Sequence, residues 1–439
     1  MFENILGQSI TQVLQHEIEQ HTLAPALLFV GPESSGKLTT ALELARILSC
    51  HTTAAWSCTC KSCLNQKGLT APDVLIMGAR NTLLDIKAAA HAFLNAQTTP
   101  TRYLFIRSVR KLTIRFDPRL WDPEETRFIK AIPILTTLEE AFVDFLAAYH
   151  LASKPEDAAK REKRITKIVD LCEKLQEECM YDTIPINQVR KAASWLHLVP
   201  TERKKILIIE HADKMQDSAR NAFLKIIEEP PAYAHFILTT CQRRAVMPTI
   251  LSRVRTYTFT DRKSVDQYAV IERIFRDTAY CAQHAQDTSV SVCSYLRRFL
   301  PVTAHAAKEA AALFWEYVFM RFNQVHKQPP LALFNAVNTY RRSSPAQPAE
   351  SVQSLGAIVK LMHNGKPRQI CTLFLEQCTS FLQISLRDTA CTAHALELYA
   401  AYTAYIRQAQ QSLETLHITL QATLEHLAEQ ITATDYKSA

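Results

Sequence analysis

The chain has 439 residues and a formal net charge of +7, and 47% of its residues are apolar. This length indicates about two to four domains, and no apolar run reaches the ~18 residues that would span a bilayer. The N-terminal segment has neither a basic stretch nor an apolar core, so we expect no signal peptide, no membrane partner and a cytoplasmic location. The mild positive charge is typical of proteins that approach nucleic acid, and equally of an ordinary solvated surface.

The apolar periodicity predicts alternating helices and strands up to about residue 260. After residue 261 no strand is evident, and loops are expected at 343–351 and 364–367. This order is typical of a parallel-sheet domain followed by helical domains. In chain order, the predicted elements are a helix at 9–21, a strand at 26–30, a helix at about 36–48, a strand within 72–77, a helix at 184–196, a strand within 204–212, a helix at 217–227, a strand at 235–240 and a helix–strand pair within 247–259.

Residues 100–182 have a different character. Residues 102–116 alternate apolar and basic side chains, which predicts a strand pair or one long half-exposed strand. Residues 154–180 are highly charged but carry an apolar stripe at helical spacing, which predicts an exposed amphipathic helix. The stripe consists of Ile165, Ile168, Val169, Leu171, Cys172 and Leu175.

The segment GPESSGK, from Gly31 to Lys37, matches the phosphate-loop pattern GxxxxGK. It follows a predicted strand and opens a predicted helix, which is the context that separates a phosphate loop from a chance match. In such a loop the backbone N–H groups surround the phosphates and the lysine reaches the outer ones. The next residue normally binds Mg²⁺ through a hydroxyl, but here it is Leu38, and Thr39 faces about 100° round the helix.

The predicted strand at 206–209 ends in Glu210 and His211. Many nucleotide-hydrolysing proteins have two acids at this point, the first for Mg²⁺ and the second for the attacking water. Glu210 still offers a carboxylate to a metal, whereas His211 is a poorer base, since nearby phosphates favour its charged form. We therefore expect nucleotide binding without efficient hydrolysis. A working histidine variant is the alternative.

Four of the twelve cysteines fall within fourteen residues, at Cys50, Cys58, Cys60 and Cys63. In a reducing compartment such a cluster argues for a metal before disulfides. The scattered cysteines are most simply interpreted as small buried apolar side chains.

The order of motifs resembles the AAA+ clamp-loader subunits of bacterial DNA polymerase III. The resemblance covers residues 1–80 and 184–260 closely, and 261–439 only as a helical tail. The motifs that carry it are FENILGQ, GPESSGK, the four cysteines, PDVLIM, INQVRKAASWL, KKILIIEHADKM, NAFLKIIEEPP, FILTT and MPTILSRV. It implies an α/β AAA+ P-loop domain at 1–260, an all-helical lid at 261–304 and an all-helical collar at 305–439, with an insertion at about 85–182 that departs from the family.

Within that family, the residues at 38, 210 and 211 and the lack of a GSLRDA-like segment in 261–305 favour the delta-prime type over the ATP-hydrolysing gamma/tau type. The resemblance then implies a largely non-hydrolysing stator of the DNA polymerase III holoenzyme, without polymerase activity of its own. Its partners would be gamma/tau and delta subunits in a hetero-pentameric ring, the sliding clamp and primed DNA. The alternatives are a gamma/tau-type ATPase and a DNA-binding regulator whose P-loop is architectural.

The resemblance also gives roles to single residues. Arg253, in Ser252-Arg253-Val254, matches the arginine that enters a neighbouring subunit's ATP site and stabilises transition-state charge in trans. Without that context it would be interpreted as a surface arginine in an ion pair. The candidate nucleotide-binding residues, for ATP or ADP, are Gly31, Ser34, Ser35, Gly36, Lys37, Leu38, Thr39, Glu210 and the sensor-position Thr240.

The four cysteines resemble the family's zinc module, usually C-x8-C-x2-C-x2-C, although their spacing of seven, one and two intervening residues is tighter. We expect a closed, structural Zn²⁺ site with four thiolate ligands. The alternatives are replacement of one thiolate by His51 and four free thiols.

The start of the insertion is basic. Contact with DNA or a partner would explain this charge. A solvated, lineage-specific surface segment without a binding role would explain it as well. The residues concerned are Arg102, Arg107, Arg110, Lys111 and Arg115.

Overall fold

The computed structural model describes residues 1–150, 157–285, 287, 290–300, 304–343, 355–361, 367–388, 392–415 and 419–434. They belong to two compact units, Met1–Phe299 and Leu300–Ala439. The strands are β1 (Ala26–Val30), β2 (Val74–Gly78), β3 (Lys205–Glu210), β4 (Ala234–Thr240) and β5 (Arg255–Thr258). The helices of the first unit are α1 (Ile10–Glu19), α2 (Lys37–Ser49), α3 (Lys61–Gly68), α4 (Leu83–Asn95), α5 (Thr99–Thr113), α6 (Thr126–His150), α7 (Ala158–Glu178), α8 (Ile186–Leu196), α9 (Asp217–Glu228), α10 (Pro248–Leu251), α11 (Ser264–Ile274), α12 (Thr278–Gln283) and α13 (Val292–Arg297). Those of the second unit are α14 (Ala304–Gln324), α15 (Leu331–Ser343), α16 (Leu355–Leu361), α17 (Pro367–Ser385), α18 (Ala393–Thr415) and α19 (Leu420–Ala433).

The first unit is built on a parallel sheet with the strand order β2–β3–β4–β1–β5. Alternate residues of β3 enter different cores: Leu207 and Ile209 pack on one face, and Ile206 and Ile208 on the other. Because helices cover both faces, β1 to β4 are largely buried runs rather than alternating ones, whereas the edge strand β5 is mostly exposed and polar. The predicted α/β class with a parallel sheet is confirmed.

All the predicted strands outside residues 102–116 are present, and the predicted helices at the start of the chain, after the phosphate loop and at 184–196 and 217–227 form as well. In the part of the chain that the structure describes beyond Thr258, the regular elements are all helices. The loops expected at 343–351 and 364–367 lie outside the described residues, except for the helix ends Ser343 and Pro367. The division into lid and collar stays a prediction.

The strand expected within 102–116 is wrong, because these residues form helix α5 and a short 3-10 helix, Ile114–Phe116. Phe105, Val109 and Leu112 are buried, and their spacing of four and three residues is helical. The chain also begins the helix with a capping box between Thr98 and Thr101. The alternating pattern therefore competed with a helix-start signal, and burial against the sheet domain favoured the helix.

The expected amphipathic helix at 154–180 is present as α7, but its apolar face is buried rather than exposed. Its buried apolar residues, Ile165, Ile168, Cys172 and Leu175, belong to the same core as the sheet strands. The segment predicted to be an insertion is therefore an integral part of the first unit. Its residues 151–156 are outside the described part of the chain.

The second unit has a core of its own. Phe314 and Trp315 of α14 pack with Phe374 of α17 and Tyr402 of α18. Among the helices that the structure describes in either unit, none has the length and apolarity needed to cross a membrane.

Candidate nucleotide site and cysteine cluster

The phosphate loop lies where the sequence predicts, between β1 and α2. The Gly31 N–H donates to the carbonyl of Thr240 at 3.3 Å, which fixes the start of the loop at the end of β4. Gly36 has φ 98°, and a Cβ there would lie 2.7 Å from a guanidinium nitrogen of Arg262. The backbone conformation therefore favours glycine at the start of α2, whereas the contact is with the end of a flexible side chain.

Lys37 is hydrogen-bonded to its own loop. Its Nζ donates to the carbonyls of Gly31 at 2.7 Å and Pro32 at 2.5 Å, and lies 3.5 Å from the Sγ of Cys241. Burial lowers the pKa of Lys37. The other loop residues predicted to bind nucleotide are the half-buried Ser34, which has φ 56°, and the buried Ser35.

A residue that the sequence did not single out covers the loop. Arg262, just after β5, donates from Nε to the Leu6 carbonyl at 2.8 Å and from Nη1 to the Ser34 carbonyl at 2.6 Å. It thus joins the N-terminal segment to the phosphate loop. No local motif marks this arginine, because its partners lie more than two hundred residues away in the sequence.

Glu210 is at the end of β3, opposite Gly78 of β2 in the parallel register. Its Oε2 accepts a hydrogen bond from Nη2 of Arg115, and both side chains are only 2% exposed. Its Oε1 lies 3.5 Å from Nη1 of Arg80, whose Nη2 is 2.7 Å from Asp85. Burial would raise the pKa of Glu210, but the two guanidinium groups outweigh it and hold the pKa below its usual value.

The residues at the magnesium positions do not fit a magnesium ion. Mg²⁺ needs oxygen ligands, but Leu38 is buried and apolar, and both oxygens of Glu210 face a guanidinium group. Thr39 is half-buried, and the hydroxyl of the next residue, Thr40, donates to the Gly36 carbonyl at 3.0 Å. The available carboxylate is thus already neutralised by the chain itself.

His211 and Thr240 form the rest of this strand edge. The His211 N–H donates to Thr239 Oγ1 at 3.4 Å, and its φ of 53° turns the chain away after β3. Burial lowers the pKa of His211 and so favours its neutral form. The Thr240 hydroxyl donates to Asp213 and accepts from the N–H of Gln242.

Arg253 lies at the surface, just after α10. Its side chain is 38% exposed, and its Nη2 is 2.8 Å from the carboxylate of Glu228. It also donates from Nη1 to the Thr249 carbonyl at 3.0 Å. This ion pair agrees with the alternative interpretation of Arg253 as a surface arginine. Exposed ion pairs of this kind, however, contribute only about 0–1 kcal/mol to stability. Arg253 is therefore accessible to a neighbouring molecule.

The four clustered cysteines come together at the junction of α2 and α3. One ligand atom from each lies within 4.8 Å of the others. The Cys50 Sγ is 3.8 Å from that of Cys58 and 3.9 Å from that of Cys60. A tetrahedral ion with metal–sulfur bonds of about 2.3 Å requires sulfur separations of about 3.8 Å. These cysteines therefore have the arrangement of a metal site, and the exposed His51 is not part of the group.

Hydrogen bonds to sulfur support thiolate ligands at this cluster. Cys50 Sγ accepts from the N–H groups of Thr52 and Ala54, both at 3.3 Å. The Thr52 hydroxyl lies 2.8 Å from Cys58 Sγ and is the largest of several contacts that together lower the pKa of Cys58 to about 6. Burial instead raises the pKa of Cys63. The sequence missed a further contributor, Arg46.

Arg46 lies beneath the cluster and is fully buried. It donates from Nη1 to the Cys63 Sγ at 3.0 Å and pairs with Glu43 at 2.6 Å. Its guanidinium also bonds the carbonyls of Ala54 and Ala55, at 2.8 and 3.1 Å. The sequence feature that could have indicated this pair is the spacing of Glu43 and Arg46, two opposite charges three positions apart in the predicted helix.

Three of the basic residues at the start of the insertion serve internal contacts. Arg107 and Arg110 donate to the carbonyls of Lys67 and Gly68 at the end of α3, both at 2.7 Å. Arg115 is buried against Glu210. These contacts connect the insertion to the cysteine module and to the nucleotide site, so the three charges need no external partner to explain them.

Comparison with known proteins identifies the family. A family described as DNA polymerase III, delta subunit, matches residues 7–114 and 141–263, which are just over half of the chain. The chain belongs to the DNA polymerase III delta subunit family. The match includes the phosphate loop, the four cysteines, Glu210 and Arg253. It also covers residues 85–114 and 141–182 of the predicted insertion, so that only residues 115–140 of that segment lie outside the match.

Individual members and relatives match shorter segments. A DNA polymerase III subunit delta' from Bacillus subtilis is 43% identical over 56 residues, which are 13% of this chain and 17% of that protein. A DNA polymerase III subunit gamma/tau from Mycobacterium bovis is 40% identical over 57 residues, 13% of this chain and 10% of that protein. The chain thus aligns with less than a fifth of either protein. A crystal structure of a gamma subunit-related protein from Thermotoga maritima covers 96% of this chain and 98% of its own, at 14% identity and a TM-score of 0.38.

Proposed function

We propose that this chain is a delta-prime-type subunit of the DNA polymerase III clamp loader. In this role it assembles with gamma/tau and delta subunits in a hetero-pentameric ring that places the sliding clamp on primed DNA. It hydrolyses no ATP itself and contributes a rigid AAA+ domain and one arginine, Arg253, to the ATP site of its neighbour. ATP or ADP is at most a structural ligand at its own phosphate loop.

The observation that carries this proposal is the state of Glu210. The carboxylate at the metal position is held by Arg80 and Arg115, and Leu38 has no hydroxyl to complete a magnesium site. Without Mg²⁺ the developing charge of phosphoryl transfer has no metal to neutralise it. This arrangement supports a non-hydrolysing subunit over a gamma/tau-type ATPase.

The exposure of Arg253 supports the second half of the proposal. An arginine that acts in trans must reach beyond its own surface and present a planar fork to a phosphate. Arg253 is exposed, and its guanidinium contacts the Glu228 carboxylate, the Thr249 carbonyl and the Ser252 hydroxyl. The ion pair with Glu228 orients the side chain at little energetic cost.

The test is ATP turnover and assembly of the full chain. Alone, it should show no ATP hydrolysis above background, and it should co-elute in gel filtration with the gamma/tau and delta subunits of the same organism. Turnover by the isolated chain would contradict the proposal and favour the gamma/tau type. Failure to co-elute, with a folded chain, would favour a DNA-binding regulator instead.

We further propose that the metal at the cysteine cluster is structural zinc, because four thiolates at tetrahedral spacing leave no open coordination position. The full chain, purified without chelator, should carry about one zinc ion. Cys60→Ala should remove most of it, because a ligand is lost. Cys281→Ala, which changes a half-buried cysteine of α12, should retain it.

The measurement is zinc content by mass spectrometry alongside the circular dichroism spectrum of each variant. A folded wild-type chain without zinc, or a Cys60→Ala chain with undiminished zinc, would rule out this site.

A further inference from the structure

The insertion, residues 85–182, extends to the end of β3 and contributes a buried arginine there. Arg115 is in the 3-10 helix that follows α5, and its Nη1 donates to the Arg80 carbonyl at 2.7 Å. Its own carbonyl accepts from the indole of Trp121 at 2.7 Å. Trp121 is itself buried in the insertion's aromatic stack. The Arg115 guanidinium is therefore held by the Arg80 carbonyl and by Glu210, while the buried Trp121 holds the Arg115 backbone.

The close packing of β2 on β3 positions the second arginine. Gly78 pairs with Glu210 in the register and has φ 153°, and a Cβ there would lie 2.6 Å from the Glu210 carbonyl. The chain leaves β2 at this glycine and delivers Arg80 two residues later to the other carboxylate oxygen. The charge of Arg80 also acts on Lys37 of the phosphate loop and lowers its pKa, after burial as the main cause.

The carboxylates at this strand edge are compensated without any ion. Arg80 and Arg115 face the carboxylates of Glu210 and Asp85, and the charge of Lys111 also acts on both. A buried carboxylate is costly unless a cation and hydrogen bonds compensate it. In a nucleotide-hydrolysing member of this motif class, Mg²⁺ provides part of that compensation. Here two guanidinium groups provide it, one of them from the insertion.

We propose that Arg115 of the insertion, assisted by Arg80, replaces the divalent cation at the end of β3, so that this site is complete without Mg²⁺. The inference deepens the proposed function and rests on it, since a non-hydrolysing site is one that can dispense with its metal. The insertion then has a specific role, because it neutralises Glu210 permanently and keeps the strand edge folded whether or not a nucleotide is bound. Any nucleotide at Lys37 is bound without a divalent ion on Glu210.

The test uses Mn²⁺ as a spectroscopic probe for the divalent site. Zinc-loaded full chain is titrated with Mn²⁺ in the presence of ATP and without Mg²⁺, and free Mn²⁺ is followed by electron paramagnetic resonance. In the wild type, the change Glu210→Gln should leave Mn²⁺ binding unchanged, because the carboxylate is already occupied. Arg115→Met removes the cation but keeps much of the side-chain volume. It should acquire a Mn²⁺ site at least about tenfold tighter, as expected for a change at a metal ligand's partner.

Two further variants test whether the new Mn²⁺ site depends on Glu210 and on the loss of Arg115 in particular. Arg115→Met combined with Glu210→Gln should lose the new Mn²⁺ site, because the carboxylate is its ligand. Arg107→Met is the matched control, since it removes a nearby arginine, in α5, whose guanidinium donates to the Lys67 carbonyl. It should bind Mn²⁺ as the wild type does.

Thermal unfolding provides an independent readout. Arg115→Met should melt about 5 °C or more below the wild type, since it leaves a buried carboxylate partly uncompensated. Mn²⁺ should raise the melting temperature of this variant by mass action and leave that of the wild type unchanged. Arg115→Lys, which keeps one positive charge, should remain folded and should gain no Mn²⁺ site.

Two results would overturn the inference. One is wild-type Mn²⁺ binding that falls at least about tenfold in Glu210→Gln, which would make Glu210 a metal ligand despite its arginines. The other is a folded Arg115→Met chain without any Glu210-dependent Mn²⁺ site. If Arg115→Met does not fold, the comparison of wild type with Glu210→Gln still tests whether Glu210 is a metal ligand. Neither result depends on loader assembly or on Arg253, so this inference and the proposed function fail by different measurements.

Discussion

Replacing Arg253 by alanine is expected to lower the steady-state ATP turnover of the reconstituted loader, on primed DNA with clamp, by at least about tenfold. The proposed reason is that the guanidinium stabilises charge on the phosphates of a neighbouring ATP in the transition state. Arg253 is free to do so, because its ion pair with Glu228 is exposed and weak. The fall should appear in turnover, while the amount of assembled complex in gel filtration stays the same.

Three variants separate a trans-acting arginine from an ordinary surface charge. Arg253→Lys should also be impaired, because an ammonium cannot bind phosphate as a planar fork. Glu228→Gln breaks only the ion pair and should leave turnover within about twofold. Arg220→Ala removes a comparable arginine, whose Nη1 lies 2.9 Å from Asp217, and should leave turnover unchanged. Unchanged turnover with Arg253→Ala in a complex that still assembles would mean that Arg253 is only a surface residue.

Replacing Trp121 by alanine is expected to destabilise the first unit by about 3–5 kcal/mol. Trp121 is 1% exposed and stacks on Phe116 and Phe128, with ring centroids 5.4 and 5.7 Å away. The change leaves a large cavity and deprives the Arg115 carbonyl of its donor. The Trp121→Ala substitution therefore tests whether the predicted insertion is part of the core of the first unit or contributes nothing to its stability. The measurement is the denaturation midpoint in urea.

Two further variants separate the loss of the Trp121 hydrogen bond from the loss of its apolar volume and provide a surface control. Trp121→Phe keeps most of the apolar area but leaves the Arg115 carbonyl without its indole partner, so we expect a loss of about 1–3 kcal/mol. Val143→Ala, at a 65% exposed position of α6, should change the free energy of unfolding by at most about 0.5 kcal/mol. A Trp121→Ala chain that unfolds at the wild-type urea concentration would show that the insertion contributes nothing to the stability of the sheet domain.

The local sequence pattern was not sufficient to predict the structure of residues 102–116 or the packing of α7. Residues 102–116 offer two periodicities at once, because Phe105, Val109 and Leu112 fit a helix while the neighbouring apolar and basic residues alternate. The capping signal at Thr98 was the decisive local clue for the helix. The buried partner of α7 was not visible either, since an amphipathic stripe predicts a helix but says nothing about what covers it.

In the candidate site, too, local motifs could be found from the sequence, whereas contacts between distant segments could not. The loop, its lysine and the cysteine cluster are local motifs, so their spacing alone located them. The partners of Glu210 and of the Ser34 carbonyl could not be located that way. Arg115 is 95 residues from Glu210 in the chain, and Arg262 is 228 residues from Ser34.

By itself, the sequence determined the α/β class, the strand–loop–helix at Gly31–Lys37, the four-cysteine cluster and the loss of a hydroxyl at Leu38. Each of these depends on residues that are neighbours along the chain. Only the tertiary structure decided that Glu210 is neutralised by Arg80 and Arg115 and that the insertion belongs to the core. The physical reason is that a buried charge is defined by whatever the fold brings within a few ångströms of it, and that distance is set by packing between segments far apart in sequence.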